Sequence, residues 1–225
     1  RILKTAILNV GVGGWHPKGT ERLGKSINLF HPEIWEEQEI HFLSWTNSYP
    51  PNSPTHQQAP YGFKPYAFLY AIQHDYDLAI WMDSAVWLKK SIQPLIEIIT
   101  KQGHLLFQNG WTNGEWLCDD QLEALGLTRE DALKMPHLMA CVMGFDLKNL
   151  KSQQFLRTWL DHTKDFRGEW TNTGPCSPDK RVLGSRHDQS FASVISHRLG
   201  MEWTSPEGLI SYNINEDSIL VTQGM

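Results

Sequence analysis

Short apolar runs alternate along the chain with segments in which apolar residues recur at helical spacing. A short apolar run between polar residues is typical of a buried strand, and recurrence every three or four residues is typical of a helix with one buried face. The runs predict strands at residues 5–12, 40–45, 104–108 and 138–145, and in the run before Asp83. The periodic segments predict helices from Thr20, over residues 63–74, 92–101 and 152–166, and from about His187. This alternation predicts an α/β fold with helices flanking a mostly parallel central sheet.

One apolar run stops directly on an acidic residue, Asp83. The run reads Leu78-Ala79-Ile80-Trp81-Met82, without the polar alternation of a half-exposed strand. Such a run is typical of a central strand that is buried on both faces of a parallel sheet. Ligands of open α/β sheets bind outside the carboxyl ends of the strands, where an acid can hold a metal ion or a ribose hydroxyl. The position of Asp83 therefore predicts a functional carboxylate.

A second polar cluster, Arg186-His187-Asp188-Gln189-Ser190, lies about a hundred residues later. It leads into the apolar periodicity of Phe191, Val194 and Leu199, which places His187 and Asp188 at the start of a helix. We therefore expect two acids, Asp83 and Asp188, and one imidazole to converge on a single pocket.

Long polar loops are predicted at residues 46–61 and 168–185. Loops of this length in compact domains are usually functional or disordered, and both are available to cover the carboxyl edge of the sheet. A further loop at residues 109–120 carries Trp111 and Trp116. Indole rings can stack on sugars, and they can equally pack in a core.

Composition restricts the classes of function. A chain of 225 residues can bury a sizeable core as one domain. Its net charge of -5 and its lack of a Lys/Arg-rich run argue against nucleic-acid binding. No apolar stretch reaches the roughly 20 residues of a membrane span, and residues 1–4 lead into a strand rather than a signal peptide. These features predict a soluble, cytoplasmic protein without a membrane span.

The three cysteines, Cys118, Cys141 and Cys176, are widely spaced and include no C-x-x-C pair. This pattern matches neither a disulfide framework nor a zinc site. It predicts buried, reduced thiols.

The segment from Gly19 to Ser26 matches the phosphate-loop pattern G-x-x-x-x-G-K-[ST]. A working loop of this kind follows a strand directly and wraps around phosphates before its helix begins. Here Leu23 shares a face with Ile27 and Phe30, so the helix is expected to start near Thr20 and to run through the motif. The pattern keeps a kinase or NTPase open as an alternative function. A dinucleotide-binding fingerprint fails because its third glycine position is His16.

The order of these motifs resembles GT-A glycosyltransferases that use nucleotide-sugar donors. The resemblance spans most of the chain, is strongest at residues 61–86 and 184–194, and looks nearest to small transferases carried by large algal viruses. It implies a single Rossmann-like GT-A domain over residues 1–225. Residues 1–105 would form the nucleotide-binding part and residues 106–225 the acceptor-side part.

The resemblance also implies a set of site residues. Asp83 and Asp188 would be catalytic. The donor would contact Val10, Gly11, Val12, Lys64, Asp83, Ser84, Ala85 and Gln189.

The family closes its central strand with D-x-D, whose last acid holds Mn²⁺ or Mg²⁺, whereas this chain has Asp83-Ser84-Ala85. Two possibilities follow. Asp83 and His187 could meet the metal together with the diphosphate, since Mn²⁺ tolerates one imidazole among oxygen ligands. Otherwise no metal is needed, and Lys64, Arg186 or Lys18 stabilises the leaving group.

The sequence therefore predicts transfer of a hexose or deoxyhexose from a nucleoside diphosphate, first of all UDP, to a glycan or glycoprotein acceptor. Two alternatives stay open at this point. One is the kinase or NTPase that the Gly19–Ser26 pattern indicates. The other is a sugar-binding module that has lost turnover because Ala85 replaces an acid.

Overall fold

The computed structural model of the protein describes residues 2–31, 38–166 and 176–224. Within these ranges the strands and helices alternate as the hydrophobic pattern predicts. The strands are β1 (Leu3–Gly11), β2 (Gln38–Thr46), β3 (Leu78–Met82), β4 (Val86–Leu88), β5 (His104–Thr112), β6 (Pro136–Asp146), β7 (Ile210–Ser211) and β8 (Leu220–Thr222).

Helices connect most of these strands, and two short 3₁₀ turns lie at Asn113–Glu115 and His162–Asp165. The α-helices are α1 (His16–Phe30), α2 (Phe63–Gln73), α3 (Gln93–Gln102), α4 (Asp119–Leu125), α5 (Arg129–Leu133), α6 (Leu150–Asp161) and α7 (Asp188–Arg198).

The central sheet has five strands in the order β2-β1-β3-β6-β5. Strand β1 pairs in parallel with β2 and β3, and β6 pairs antiparallel with both β3 and β5. Four strands therefore share one direction, and the predicted mostly parallel α/β sheet is confirmed. The sheet draws β6 and most of β5 from residues 106–225, so the proposed division of the domain at residue 105 crosses the sheet and stays a prediction. A small second sheet, β4-β8-β7, was not predicted.

Two hydrophobic cores cover the two faces of this sheet. All five residues of β3 are buried, with Ala79 and Trp81 facing one core and Ile80 the other. Helices α2, α6 and α7 pack into the first core, and α1 and α3 pack into the second. Because a strand alternates its side chains between faces, this two-sided burial explains the uninterrupted apolar run before Asp83.

Some element boundaries differ from those that the pattern predicts. Helix α1 begins at His16 rather than at Thr20, with Pro17 in its first turn, where the fixed φ of proline suits a helix start. Thr20 is therefore no cap, and its hydroxyl donates to Asn9 Oδ1 at 2.6 Å. Strand β5 extends to Thr112, into the segment predicted as a loop. The predicted loop at 168–185 is described only from residue 176, and its earlier part lies outside the described residues.

The prediction of three reduced thiols is wrong for two of the cysteines. Cys118 and Cys176 form a disulfide with a Cα–Cα distance of 5.1 Å, and Cys141 is a free thiol. The bridge joins residues 58 positions apart, at the start of α4 and in the segment before α7. Spacing along the chain could not reveal this pair, because the fold rather than the sequence brings the two segments together. A cytoplasmic location stays a prediction.

None of the helices in the described ranges combines the length and the apolar character that a bilayer crossing requires.

Candidate active site

Asp83 follows β3 directly, at the carboxyl end of the central strand, as the sequence predicts. Its backbone N–H donates to the Cys141 carbonyl at 2.9 Å, which continues the pairing of β3 with β6. Trp81 Nε1 donates to Asp83 Oδ1 at 2.6 Å. The side chain of Asp83 is 30% exposed, so the carboxylate is held in place and still faces solvent.

Lys64 connects this carboxylate to the second acid. It lies in the first turn of α2 and is only 2% exposed. Its ammonium is 3.2 Å from Asp83 Oδ1 and 3.1 Å from Asp188 Oδ2, and it donates to the Ala140 carbonyl at 2.9 Å. The sequence predicted that Asp83 and Asp188 converge, and here a single lysine joins them.

Burial and charge oppose each other in this cluster of Lys64, Asp83 and Asp188. Burial alone would lower the pKa of the Lys64 ammonium, but the charges of Asp188 and Asp83 outweigh it and raise that pKa above the ordinary lysine value. Burial raises the pKa of Asp188 to about 6 against the lowering effect of Lys64, and the charge of Asp83 adds to the rise. Asp188 is therefore an acid poised close to neutral pH, in the range useful for proton transfer.

Asp188 is the first residue of α7, as predicted, and a strained residue precedes it. His187 has φ 45°, a conformation that is rare for residues other than glycine, and its N–H donates to Ser185 Oγ at 3.2 Å. Trp159 Nε1 donates to the Asp188 carbonyl at 3.0 Å. The backbone on both sides of the carboxylate is thereby fixed, which is consistent with strain stored at a functional position.

A large cavity of about 540 Å³ opens on one side of Asp83. Five of the predicted donor residues line it: Val10, Val12, Asp83, Ser84 and Ala85. Aromatic rings supply much of the remaining wall, and they belong to Trp15, Tyr49, Tyr61, Phe63 and Trp81.

Gly11 was also predicted to contact the donor, but it does not line either of the two cavities beside Asp83. A side chain at Gly11 would collide with the Thr20 hydroxyl. The glycine therefore permits close packing of β1 against α1 in this structure.

A smaller cavity of about 180 Å³ lies on the other side of Asp83. Lys64, Asp188 and Gln189 line it, as does Arg186. Asp83 and Tyr61 line both cavities, so these two residues stand where the cavities meet.

Tyr61 and Tyr212 also belong to this site, and neither was predicted as a site residue. Tyr61 has φ 60°, and its ring centroid lies 5.0 Å from the Lys64 ammonium. Tyr212 lines the smaller cavity from the segment after β7. The glycine that follows Tyr61 is a turn signal before α2, and it could have indicated a special position for Tyr61. Nothing in the local pattern around Tyr212 indicates the second.

A metal ion at this site was predicted to bind through Asp83 and His187. Among the described residues, no group of three or more His, Cys, Asp or Glu side chains is placed to hold a metal ion. Asp83 Oδ1 and Asp188 Oδ2 already contact Lys64. His187, predicted as the second ligand, is 1% exposed and lines neither cavity, and its Nδ1 is 3.3 Å from Ser185 Oγ. Binding of Mn²⁺ or Mg²⁺ through Asp83 and His187 stays a prediction that these contacts do not support.

The phosphate-loop pattern lies entirely within helix α1. Lys25 is 76% exposed and pairs with Glu21 at 2.6 Å, one turn away. Since the segment is helical throughout, its backbone N–H groups bond within the helix and cannot surround a phosphate. The structure therefore gives no support to the kinase or NTPase alternative.

Comparison with solved structures confirms the GT-A-like α/β fold that the sequence predicts. The apo structure of the bifunctional glycosyltransferase WbbM matches with a TM-score of 0.54 and 12% identity, over 98% of this chain and 45% of that chain. A glycosyltransferase involved in the glycosylation of the major capsid of PBCV-1 matches with a TM-score of 0.54 and 13% identity. That match covers 97% of this chain and 93% of the other.

The chain thus spans less than half the length of WbbM and nearly all of the second protein. No protein-family model matches it, and a search of curated proteins finds no match. Identities this low establish the fold alone.

Proposed function

We propose that the protein is a glycosyltransferase that moves a sugar from a nucleoside-diphosphate donor to a glycan acceptor. The observation that carries this proposal is the buried Lys64, which joins Asp83 to Asp188 where two cavities meet. One cavity is large and aromatic, and the other has a volume suited to a single sugar ring. The GT-A fold supports the same class of reaction.

In this proposal the larger cavity holds the nucleotide. Its volume lies in the usual range for ligand pockets, and its aromatic side chains offer flat surfaces for a base. The turn after β3 is held rigidly, since Ser84 Oγ donates to the Val10 carbonyl at 3.0 Å. UDP is the first nucleotide to test, and a hexose or deoxyhexose the first sugar.

The chemistry would take place next to Asp188, in the smaller cavity. The acceptor hydroxyl oxygen attacks the anomeric carbon and forms the new glycosidic bond. The bond from that carbon to the phosphate oxygen breaks, and the nucleoside diphosphate leaves with the electron pair. Asp188, ionised above a pKa of about 6, accepts the hydroxyl proton.

A nucleotide-release assay tests this function. The protein should release UDP, or another nucleoside diphosphate, from one member of a panel of nucleotide sugars, and a glycan acceptor should accelerate the release. Asp188→Asn should lower turnover by about 10²–10⁴-fold, the usual contribution of a positioned base, with nucleotide affinity little changed. Asp217→Asn is the matched control, because Asp217 is 87% exposed and pairs with Lys90 at the surface. Unchanged turnover in Asp188→Asn would refute the assigned role.

One observation favours a second candidate, a sugar-binding module without turnover. Ala85 lines the larger cavity where the family's second acid would stand. In that case nucleotide sugars would raise the melting temperature of the protein, as ligands of the native state do, yet no nucleotide would be released.

A further inference from the structure

A nucleoside diphosphate that leaves with an electron pair needs positive charge beside it. In the cluster of Lys64, Asp83 and Asp188, two carboxylates share one ammonium, so the cluster adds no positive charge when both acids are ionised. The positive charge that stabilises the diphosphate of the proposed donor must therefore come from a group outside this cluster.

Lys64 cannot supply this charge while the cluster is intact. The Lys64 ammonium donates to the Ala140 carbonyl and forms ion pairs with Asp83 and Asp188, so three protein oxygens lie 2.9–3.2 Å from it. A phosphate at this buried ammonium would have to compete with the carboxylates of Asp83 and Asp188. Lys64 is thus a positioning residue for the two acids.

The larger cavity offers no permanent cation among its described lining residues. Its basic side chains are two histidines, His16 and His56. Burial, followed by the charges of His187 and Lys64, lowers the pKa of His56 to about 4, so that His56 is neutral at pH 7. Lys18 is exposed and lies in a separate surface depression along α1.

Arg186 is differently placed. It lines the smaller cavity together with Asp83 and Asp188, and its Cζ lies 4.4 Å from the centre of the Trp116 ring. Its backbone N–H donates to the Trp116 carbonyl at 3.2 Å. In the described part of the chain, its guanidinium makes no hydrogen bond and no ion pair. Stacking on an indole orients the guanidinium plane and leaves the N–H groups at its edge free for a phosphate.

We propose that Arg186 binds the diphosphate of the donor and stabilises the charge of the leaving nucleotide, in place of a divalent cation. A guanidinium can donate hydrogen bonds to two phosphate oxygens at once. It can thereby take the place of a divalent cation bound to one carboxylate. The three polar groups then divide the work. Asp188 receives the proton, Lys64 holds the two acids, and Arg186 meets the phosphates.

Calorimetry with UDP and with uridine, both in EDTA, tests this assignment. Arg186→Gln should weaken UDP binding by about 10- to 100-fold, the value of a charged hydrogen bond, and leave uridine binding unchanged. Arg186→Lys should retain part of the UDP affinity, because lysine keeps the positive charge but cannot make the two parallel hydrogen bonds of a guanidinium. Arg181→Gln is the matched control, because Arg181 lies in the same segment but is exposed and pairs with Asp179 and Glu130. Retained uridine binding shows that a variant is folded.

Each outcome bears on the proposal. Equal UDP affinity in the wild type and in Arg186→Gln overturns it. The proposal is also overturned if UDP binding requires Mn²⁺ and is unaffected by Arg186→Gln. If UDP binds through Arg186 but no nucleotide sugar is turned over, the assignment stands and the glycosyltransferase function fails. If the wild type binds none of UDP, GDP, dTDP and inorganic pyrophosphate, both fail.

Discussion

Lys64 is the residue on which the site depends most, because its removal would leave two carboxylates without their counter-charge. Breaking a buried ion pair by removing one partner typically costs about 3–5 kcal/mol. We therefore expect Lys64→Met to lower the free energy of unfolding by about 3 kcal/mol or more, measured by urea denaturation with tryptophan fluorescence.

The control for this variant is Lys25→Met. Lys25 forms only a surface pair with Glu21, and such pairs contribute little, so the change should stay within about 0.5 kcal/mol. Equal unfolding free energies for Lys64→Met and Lys25→Met would contradict the central role of Lys64.

Asp188 gives the site a pH dependence with a definite sign. Its carboxyl group holds its proton up to a pKa of about 6, so the ionised form that can accept a proton dominates only above that pH. The logarithm of kcat/KM should fall by roughly one unit for each pH unit below about 6 and level off above it. The residual activity of Asp188→Asn should lack this limb. A wild-type profile that is flat between pH 4.5 and 7 would remove Asp188 from the proton transfer.

The sequence predicted Asp83 and Asp188 correctly as converging residues, because each marks the end of a strand or the start of a helix. It could not predict that the Lys64 ammonium also donates to the Ala140 carbonyl, since the pairing of β6 brings that carbonyl to it. The sequence named Arg186 as one of three candidate cations. For the same reason it could not show that, within the described residues, the Arg186 guanidinium makes no hydrogen bond or ion pair. Tertiary contacts decide which polar groups are paired within the protein and which remain available to a ligand.

Helix α1 contains two glycines of the phosphate-loop pattern in different surroundings. A methyl group at Gly19 would collide with the Ser84 carbonyl oxygen, in the turn that lines the larger cavity. A methyl group at Gly24 would meet only the Phe42 ring, at 3.1 Å. Gly19 therefore has a packing role beside the site, although no phosphate loop exists.

We expect Gly19→Ala to destabilise the protein by about 1–3 kcal/mol, as overpacking does, and to weaken UDP binding by shifting the Ser84-Ala85 turn. Gly24→Ala should change stability by less than about 1 kcal/mol, since the gain in helix propensity offsets the displaced ring. Thermal denaturation of both variants, with and without UDP, provides the comparison. A neutral Gly19→Ala would show that α1 does not press on this turn.

The larger elements were predictable because each has a recognisable hydrophobic pattern, either a continuous apolar run or a helical repeat. Strand β3 lies between two cores and is apolar throughout, whereas α1 and α3 each bury one face. The short strands β4, β7 and β8 have only two or three residues each, too few for any period to show. Their sheet exists because the chain after α7 returns to the turn that follows Asp83, which is a property of the whole fold.

At the scale of the whole molecule, the disulfide ties the segment before α7 to α4. Cys118 and Cys176 are bridged, and two backbone hydrogen bonds join the same two segments. The Leu183 N–H donates to the Glu115 carbonyl, and the Arg186 N–H donates to the Trp116 carbonyl. Together these contacts position Arg186 beside the smaller cavity.

Reduction of this bridge should lower the free energy of unfolding by about 2–4 kcal/mol, the usual contribution of a disulfide. Thiol titration in denaturant should find one free thiol in the untreated protein and three after reduction. The double variant Cys118→Ser, Cys176→Ser should melt at the temperature of the reduced wild type and should not respond to reductant. Three free thiols before reduction would show that the bridge does not form.

Because Lys64 pairs with acids from distant parts of the chain, the site can form only in a certain order during synthesis. Lys64 and Asp83 are synthesised before Asp188, which belongs to a helix that follows them by about a hundred residues along the chain. Contacts between such distant segments form late, because loop-closure entropy must be overcome first. Until α7 docks, the lysine lacks one of its two carboxylates. The completed site is therefore assembled only when both halves of the chain have folded onto the same sheet.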